Sequence, residues 1–168
     1  MTATFTAAVT NAIRKELAVG ISERTPLSQT IGYRLIKVGE MAMETAEQVL
    51  APTGIKPRHF NVLSTLSVDA TLSQRELSTA LGIDPNVMVD LIDELERQSF
   101  ARRERSPVDR RRHIVVVTPK GKAALTKAQA AVVEAEEEFL GVLTAEQRQV
   151  LFEAVGVLLG LAPVPRAG

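Results

Sequence analysis

Asp109 is followed by Arg110, Arg111 and Arg112, and Lys120 and Lys122 come soon after, so cationic side chains crowd one short stretch. Groups of this kind do no covalent chemistry. They bind phosphate oxygens, and a guanidinium can also enter a narrow groove of high negative potential. Between residues 97 and 122 there are nine Lys/Arg against two carboxylates, Glu104 and Asp109, although the whole chain balances 20 basic against 20 acidic side chains. The charge is therefore segregated. Two readings follow from charge alone: the footprint of a polyanion binder, or a solvated, charge-rich hairpin.

Other chemistry has little to work with. The two histidines, His59 and His113, are far apart and lack metal-binding spacing, and there is no cysteine to act as thiolate ligand, disulfide or redox sensor. No phosphate-cradling or nucleophile-elbow motif occurs. Glu134, Glu136, Glu137 and Glu138 fall on a helical stretch where a solvated face is the ordinary outcome. No cofactor, metal or enzymatic activity is expected. Five Phe, one Tyr and no Trp leave no base-stacking platform, which argues against readers of single strands or RNA. At 168 residues and 45% apolar side chains, the chain can bury a core of Leu, Val, Ile and Ala. The N-terminal segment has the reverse order of a signal peptide, and no apolar run is long enough to span a membrane. A cytoplasmic protein without membrane contact is expected.

The elements that must position these cations follow from local signals. Residues 4–18 can form a short amphipathic helix, and residues 20–26 read as a linker. Ile31, Leu35, Val38, Met41 and Val49 form a stripe that predicts a helix over about 28–50, and Pro57 opens another. Ser73 with Glu76 makes a capping box before a helix that Gly82 ends; Asp84 and Pro85 then start the next, running to about Ser99. Two helices joined by so short a turn have helix-turn-helix geometry. Residues 100–105 and 112–117 read as strands around Ser106 and Pro107. Thr118 and Pro119 start a long helix to about Val142, and Thr144 with Gln147 caps the last, whose apolar face runs to Leu161. The fold expected is mostly α with a small two-stranded β wing: a winged helix-turn-helix lobe over 57–118, a helical dimerisation region over 27–56 and 119–161, an N-terminal extension over 1–26 and a flexible tail over 162–168.

Over residues 27–161 the chain resembles the multiple-antibiotic-resistance regulator (MarR) family of winged-helix repressors. The resemblance rests on Leu95 and Glu96 in the second helix of the turn motif, on Asp109, Arg110 and Arg111 at the wing tip, and on the run from Val117 through Thr118, Pro119, Lys120 and Gly121. It implies a homodimer that places one winged lobe on each half of a pseudo-palindromic double-stranded DNA operator. It also implies that Arg111, oriented by Asp109, enters the minor groove, with Arg110, Arg112, Lys120 and Lys122 near phosphates. Arg102, Arg103 and Arg105 are as readily structural or solvated as DNA-facing. In the recognition helix, Asn86 can bond adenine, Val89 can pack on a thymine methyl or in the core, and Asp90 can accept from cytosine. Val89, Asp90 and Glu94 depart from the hydroxyl or basic residues usual there, Asp90 and Glu94 being four apart and expected on one face, and Ser99 replaces a common glycine, which predicts a looser turn.

Family members often release DNA on binding a small aromatic or phenolic effector between the dimer helices and the lobe. That implication points to Tyr33, Arg34, Lys37, Arg58 and His59, although solvation or ion pairing explains each alone. The absence of Cys excludes cysteine-oxidation sensing, and the absence of Trp disfavours urate sensing. The reading is thus a ligand-released repressor. The alternatives are a ligand-independent DNA-binding regulator, or a winged-helix protein-interaction module suggested by Asp90, Asp93, Glu94 and Glu96.

Overall fold

A computed structural model describes residues 26–161. The expected helix over 4–18, most of the linker over 20–26 and the tail over 162–168 lie outside the described residues. A 3-10 turn at Pro26–Gln29 leads into α1, Ile31–Leu50. The helix starts three residues later than expected because Thr30, not Ser28, is its cap: the Thr30 hydroxyl accepts from Tyr33 N–H at 3.3 Å. Ser28 is buried instead, and its carbonyl accepts from Arg34 Nε at 2.9 Å.

Four further helices and the wing then form in the expected order. They are α2 at Pro57–Val68, α3 at Gln74–Leu81, α4 at Pro85–Arg97, β1 at Ala101–Arg105, β2 at His113–Val117 and α5 at Pro119–Phe139. A last helix, α6, spans Ala145–Leu158. Both predicted capping boxes are present, at Ser73 with Glu76 and at Thr144 with Gln147. Gly82 ends α3 at φ 61°, and two residues on the Asp84 carboxylate accepts from Asn86 N–H at 2.8 Å to start α4. The two helices of the turn motif are therefore fixed by side chains that occupy their own backbone termini.

β1 and β2 are antiparallel, with Ala101 opposite Val117 and Arg105 opposite His113. A contact invisible in the sequence braces the wing, as Val115 N–H donates to Leu72 C=O at 3.0 Å and ties it to the start of the turn motif. Leu63, Leu66, Leu77, Met88, Ile92, Leu95 and Val115 are fully buried and form one core beneath α2, α3, α4 and the wing. The α1 and α5 helices pack along each other as a stalk. Thr118 caps α5, and Leu125 and Ala128 carry the core into it. Arg148 ties α6 back to the end of α5 through Leu140 C=O at 3.1 Å and Glu137 at 2.7 Å.

Ser99 corrects an expectation. The turn after α4 is tight, because Ser99 itself adopts the left-handed conformation at φ 58°. Ser99 N–H donates to Glu96 C=O and Phe100 N–H to Leu95 C=O, both at 2.8 Å, and Phe100 packs into the core with Leu95. This is a Schellman ending built on a residue that pays for its φ.

Candidate nucleic-acid interface

The wing tip is organised by short polar contacts. Ser106 Oγ accepts from Val108 and Asp109 N–H, each at 3.3 Å, and Ser106 N–H donates to Arg112 C=O at 2.8 Å. The Asp109 carboxylate accepts from Arg111 N–H at 2.9 Å. The acid thus shapes the turn through the arginine's backbone and leaves the guanidinium outside. Asp109, Arg110, Arg111, Arg112 and His113 are all exposed.

Folding uses up part of the basic stretch. Arg103 donates to Glu96 and to Gln74, and its guanidinium lies 2.7 Å from Asp93, so this β1 residue clamps α4 and α3 to the wing. Arg112 pairs with Glu76, and Arg102 with Glu104. Lys120 Nζ donates to Gln98 C=O at 2.8 Å and stands 5.2 Å from the centre of the Phe100 ring. Among the described residues Arg97, Arg105, Arg110, Arg111 and Lys122 keep no ion-pair partner, so the free cationic surface is narrower than the count suggested.

The outward stripe of α4 consists of Asn86, Val89, Asp90, Asp93 and Arg97. Val89 is 38% exposed, which settles its place outside the core. Asp90 and Glu94, four apart, do not share one environment. Glu94 is turned inward, 2.9 Å from Lys56 Nζ and 3.1 Å from Nε2 of His59. The Lys56 ammonium is the main influence holding the Glu94 carboxyl below its ordinary value. His59 is completely buried, and neither ring nitrogen has an aligned hydrogen-bond partner. Burial pushes its pKa below 6.5, with Glu94 opposing the shift and Lys56 adding to it.

Tyr33, Arg34 and Lys37 line one groove of about 590 Å³ beside α1, with Val38 and Met41 as its apolar wall. Lys37 stands 5.9 Å from the Tyr33 ring centre and 2.8 Å from Glu40. Arg58 and His59 do not line this groove, so the five expected effector residues do not form one site. A second, apolar crevice of about 300 Å³ lies between α1 and α5, lined by residues that include Ala46, Val49, Val132 and Phe139. Among the described residues no helix is long and apolar enough to cross a membrane, and no cluster of side chains is arranged for a metal.

A helix-turn-helix whose second helix leads at once into a basic two-stranded wing defines the winged helix-turn-helix class of DNA-binding proteins. Residues 53–112 match the model of the MarR family. The transcriptional repressor CouR, solved with a 23-mer DNA duplex, is 31% identical; the match covers 83% of this chain and 98% of that one, with a TM-score of 0.76. CouR of Rhodococcus jostii RHA1 bound to p-coumaroyl-CoA is 28% identical over 83% of this chain and 99% of that one, with a TM-score of 0.72. An HTH-type transcriptional repressor of Mycobacterium tuberculosis is 29% identical over 131 residues, covering 78% of this chain and 91% of the relative. The chain belongs to the MarR family of winged-helix, DNA-binding transcriptional regulators.

Proposed function

We propose that the protein is a homodimeric repressor that holds a pseudo-palindromic operator and is released from it by a small aromatic or phenolic effector. The observation that carries this reading is the union, on one chain, of a wing whose tip cations are unpaired and a stalk whose apolar faces are uncovered. Ile31, Ile36 and Met43 on α1 are exposed, and α6 buries no residue at all while presenting Val150, Phe152, Val157 and Leu158. Apolar surface on that scale is covered by a partner in a stable protein, and two-fold pairing through helices 27–56 and 119–161 gives the two lobes a palindromic site needs.

Within each subunit, the lobe over 57–118 and the first turn of α5 make the DNA contacts. Arg111 enters the minor groove from a turn held by Asp109, while Arg110 and Lys122 approach phosphates. Arg112 acts mainly inside the lobe, fixing the wing against Glu76, and Lys120 holds the start of α5 to Gln98. The acids behind the interaction-module alternative are mostly neutralised internally, which removes its motive. The groove holding Tyr33, Arg34 and Lys37 has the size and mixed lining of a ligand site and suits an aromatic anion. The p-coumaroyl-CoA bound to CouR makes CoA thioesters of phenolic acids, and the free acids, the first compounds to test.

A mobility-shift titration with the DNA flanking the protein's own gene, against scrambled DNA at several salt concentrations, tests the reading. Selective binding with a steep salt dependence is expected. Arg111→Ala should weaken binding to both DNAs and, by removing one cation per half-site, flatten the slope by up to about two for a dimer, at ~0.9 per phosphate charge neutralised. Unchanged affinity in that variant removes the wing assignment, and equal weak binding of wild type to both duplexes removes the operator.

A further inference from the structure

We infer that Asp90 is a specificity-determining residue of the recognition helix, accepting a hydrogen bond from the N4 amino group of a cytosine in the major groove. The inference rests on the reading of the chain as an operator-binding dimer and adds to it one base per half-site. Four acids lie on α4, and the structure disposes of three. Asp93 and Glu96 are held by Arg103, and Glu94 faces Lys56 and His59. Those three carboxylates have structural work, joining the recognition helix to the wing and to α2.

Asp90 has none. It is exposed, it has no hydrogen-bond or ion-pair partner among the described residues, and it stands between Asn86 and Asp93 on the outward stripe. A carboxylate there is repelled by phosphates, so it weakens contact with DNA in general. It is favourable only where a base donates to it, and in the major groove a cytosine N4 is a good donor for a carboxylate. The same side chain therefore penalises wrong sequences and rewards the right one, which is how discrimination arises without high general affinity. Asn86 lies one helical turn earlier, about 6 Å along the axis. With ~3.4 Å per base step, an adenine read by Asn86 falls about two steps from the cytosine.

Selection from a randomised duplex library with wild type, Asp90→Asn and Asp90→Ala tests this, with circular dichroism confirming that each variant is folded. Wild type should enrich an inverted repeat in which replacing one cytosine per half-site costs ~5- to 150-fold in affinity. Asp90→Asn should keep the repeat and move that position toward adenine, the base an amide pairs with. Asp90→Ala should lose preference there alone and bind scrambled DNA more tightly. Enrichment by wild type with the same base preferences in both variants overturns the inference and leaves the regulator standing. Loss of the entire repeat in folded Asp90→Asn overturns it as well, since the residue would then act on the lobe as a whole. Failure of wild type to enrich any sequence overturns the operator reading and this inference with it.

Discussion

Replacing Gly121 with alanine should damage the joint between the lobe and the stalk, while replacing Ser99 with glycine, on the other side of the same joint, should strengthen it. A Cβ on Gly121 would stand 2.0 Å from the carbonyl oxygen of Phe100 and 2.8 Å from its carbon. Both are backbone atoms, so no rotamer change gives relief and the first turn of α5 must retreat by more than an ångström. The contacts that cross that gap include Thr118 N–H to Phe100 C=O at 3.0 Å, Thr118 Oγ1 to Ser99 C=O at 2.7 Å and Lys120 Nζ to Gln98 C=O at 2.8 Å.

Overpacking costs about 1–3 kcal/mol, and losing one or two of those bonds adds about 1 kcal/mol each. The gain in helix propensity from Gly to Ala offsets at most about 1 kcal/mol. The net expectation for Gly121→Ala is a loss of about 1–5 kcal/mol. For Ser99→Gly the sign reverses, because a non-glycine residue at φ 58° carries a left-handed penalty of roughly 1–2 kcal/mol, partly offset by glycine's greater entropy in the unfolded chain. Urea unfolding at one fixed protein concentration measures both, since the stability of a homodimer of the kind proposed would depend on concentration. If Gly121→Ala unfolds within about 0.5 kcal/mol of wild type, the close approach of α5 to Phe100 is wrong, and the account of the joint goes with it.

Two further outcomes follow. Arg103→Ala leaves Asp93 and Glu96 adjacent and uncompensated, so a loss of about 1–2 kcal/mol is expected for this half-exposed network; urea unfolding and the mobility-shift assay should show reduced stability and weaker operator binding together, and normal values of both would mean the clamp is idle. His59 is buried with its pKa depressed, so protonation favours the unfolded chain: its penalty is absent above about pH 6.5 and grows as the pH falls below that value. Stability should decline as the pH falls below about 6.5, with ~1.4 kcal/mol per pH unit as the ceiling for one proton, and His59→Phe should flatten that region; an unchanged acid slope in the variant would remove His59 as its source.

What the sequence made legible was chiefly local. Ser73 with Glu76, Gly82, Asp84 with Pro85, and Thr144 with Gln147 place helix ends by bonds that span a few residues, so their positions can be read from spacing alone. Ser99 was misread because glycine is merely the cheapest left-handed residue, and a serine can be forced there when Phe100 anchors the turn in the core. The site was legible as a stretch and much less as individual roles. Arg103 to Gln74, Arg112 to Glu76 and Lys120 to Gln98 join positions 29, 36 and 22 residues apart, and nothing in a local charge count separates such paired cations from the free ones at Arg110 and Arg111. The inward turn of Glu94 was hidden for the same reason, since its partners Lys56 and His59 lie on the far side of the turn motif in sequence.

These long-range bonds also bear on how an event in the stalk reaches DNA. The end of the recognition helix, the start of the wing and the start of α5 meet at Gln98, Ser99 and Phe100, whose three carbonyls accept from Lys120 and Thr118. A glycine at 121 lets the helix approach until little slack remains. At the other side, Arg103 locks α4 to the wing and Val115 N–H locks the wing to Leu72. A lobe tied at so many points moves as one body, so displacement of α5 relative to α1 carries recognition helix and wing together. In a dimer, both lobes must match their half-sites at once, and a small change of stalk angle alters their spacing without disturbing either reading surface. On the proposed function, an effector lodged in the groove beside α1, or in the apolar crevice between α1 and α5, would act on the stalk, and the close joint at Gly121 would carry the displacement to the DNA-binding lobe.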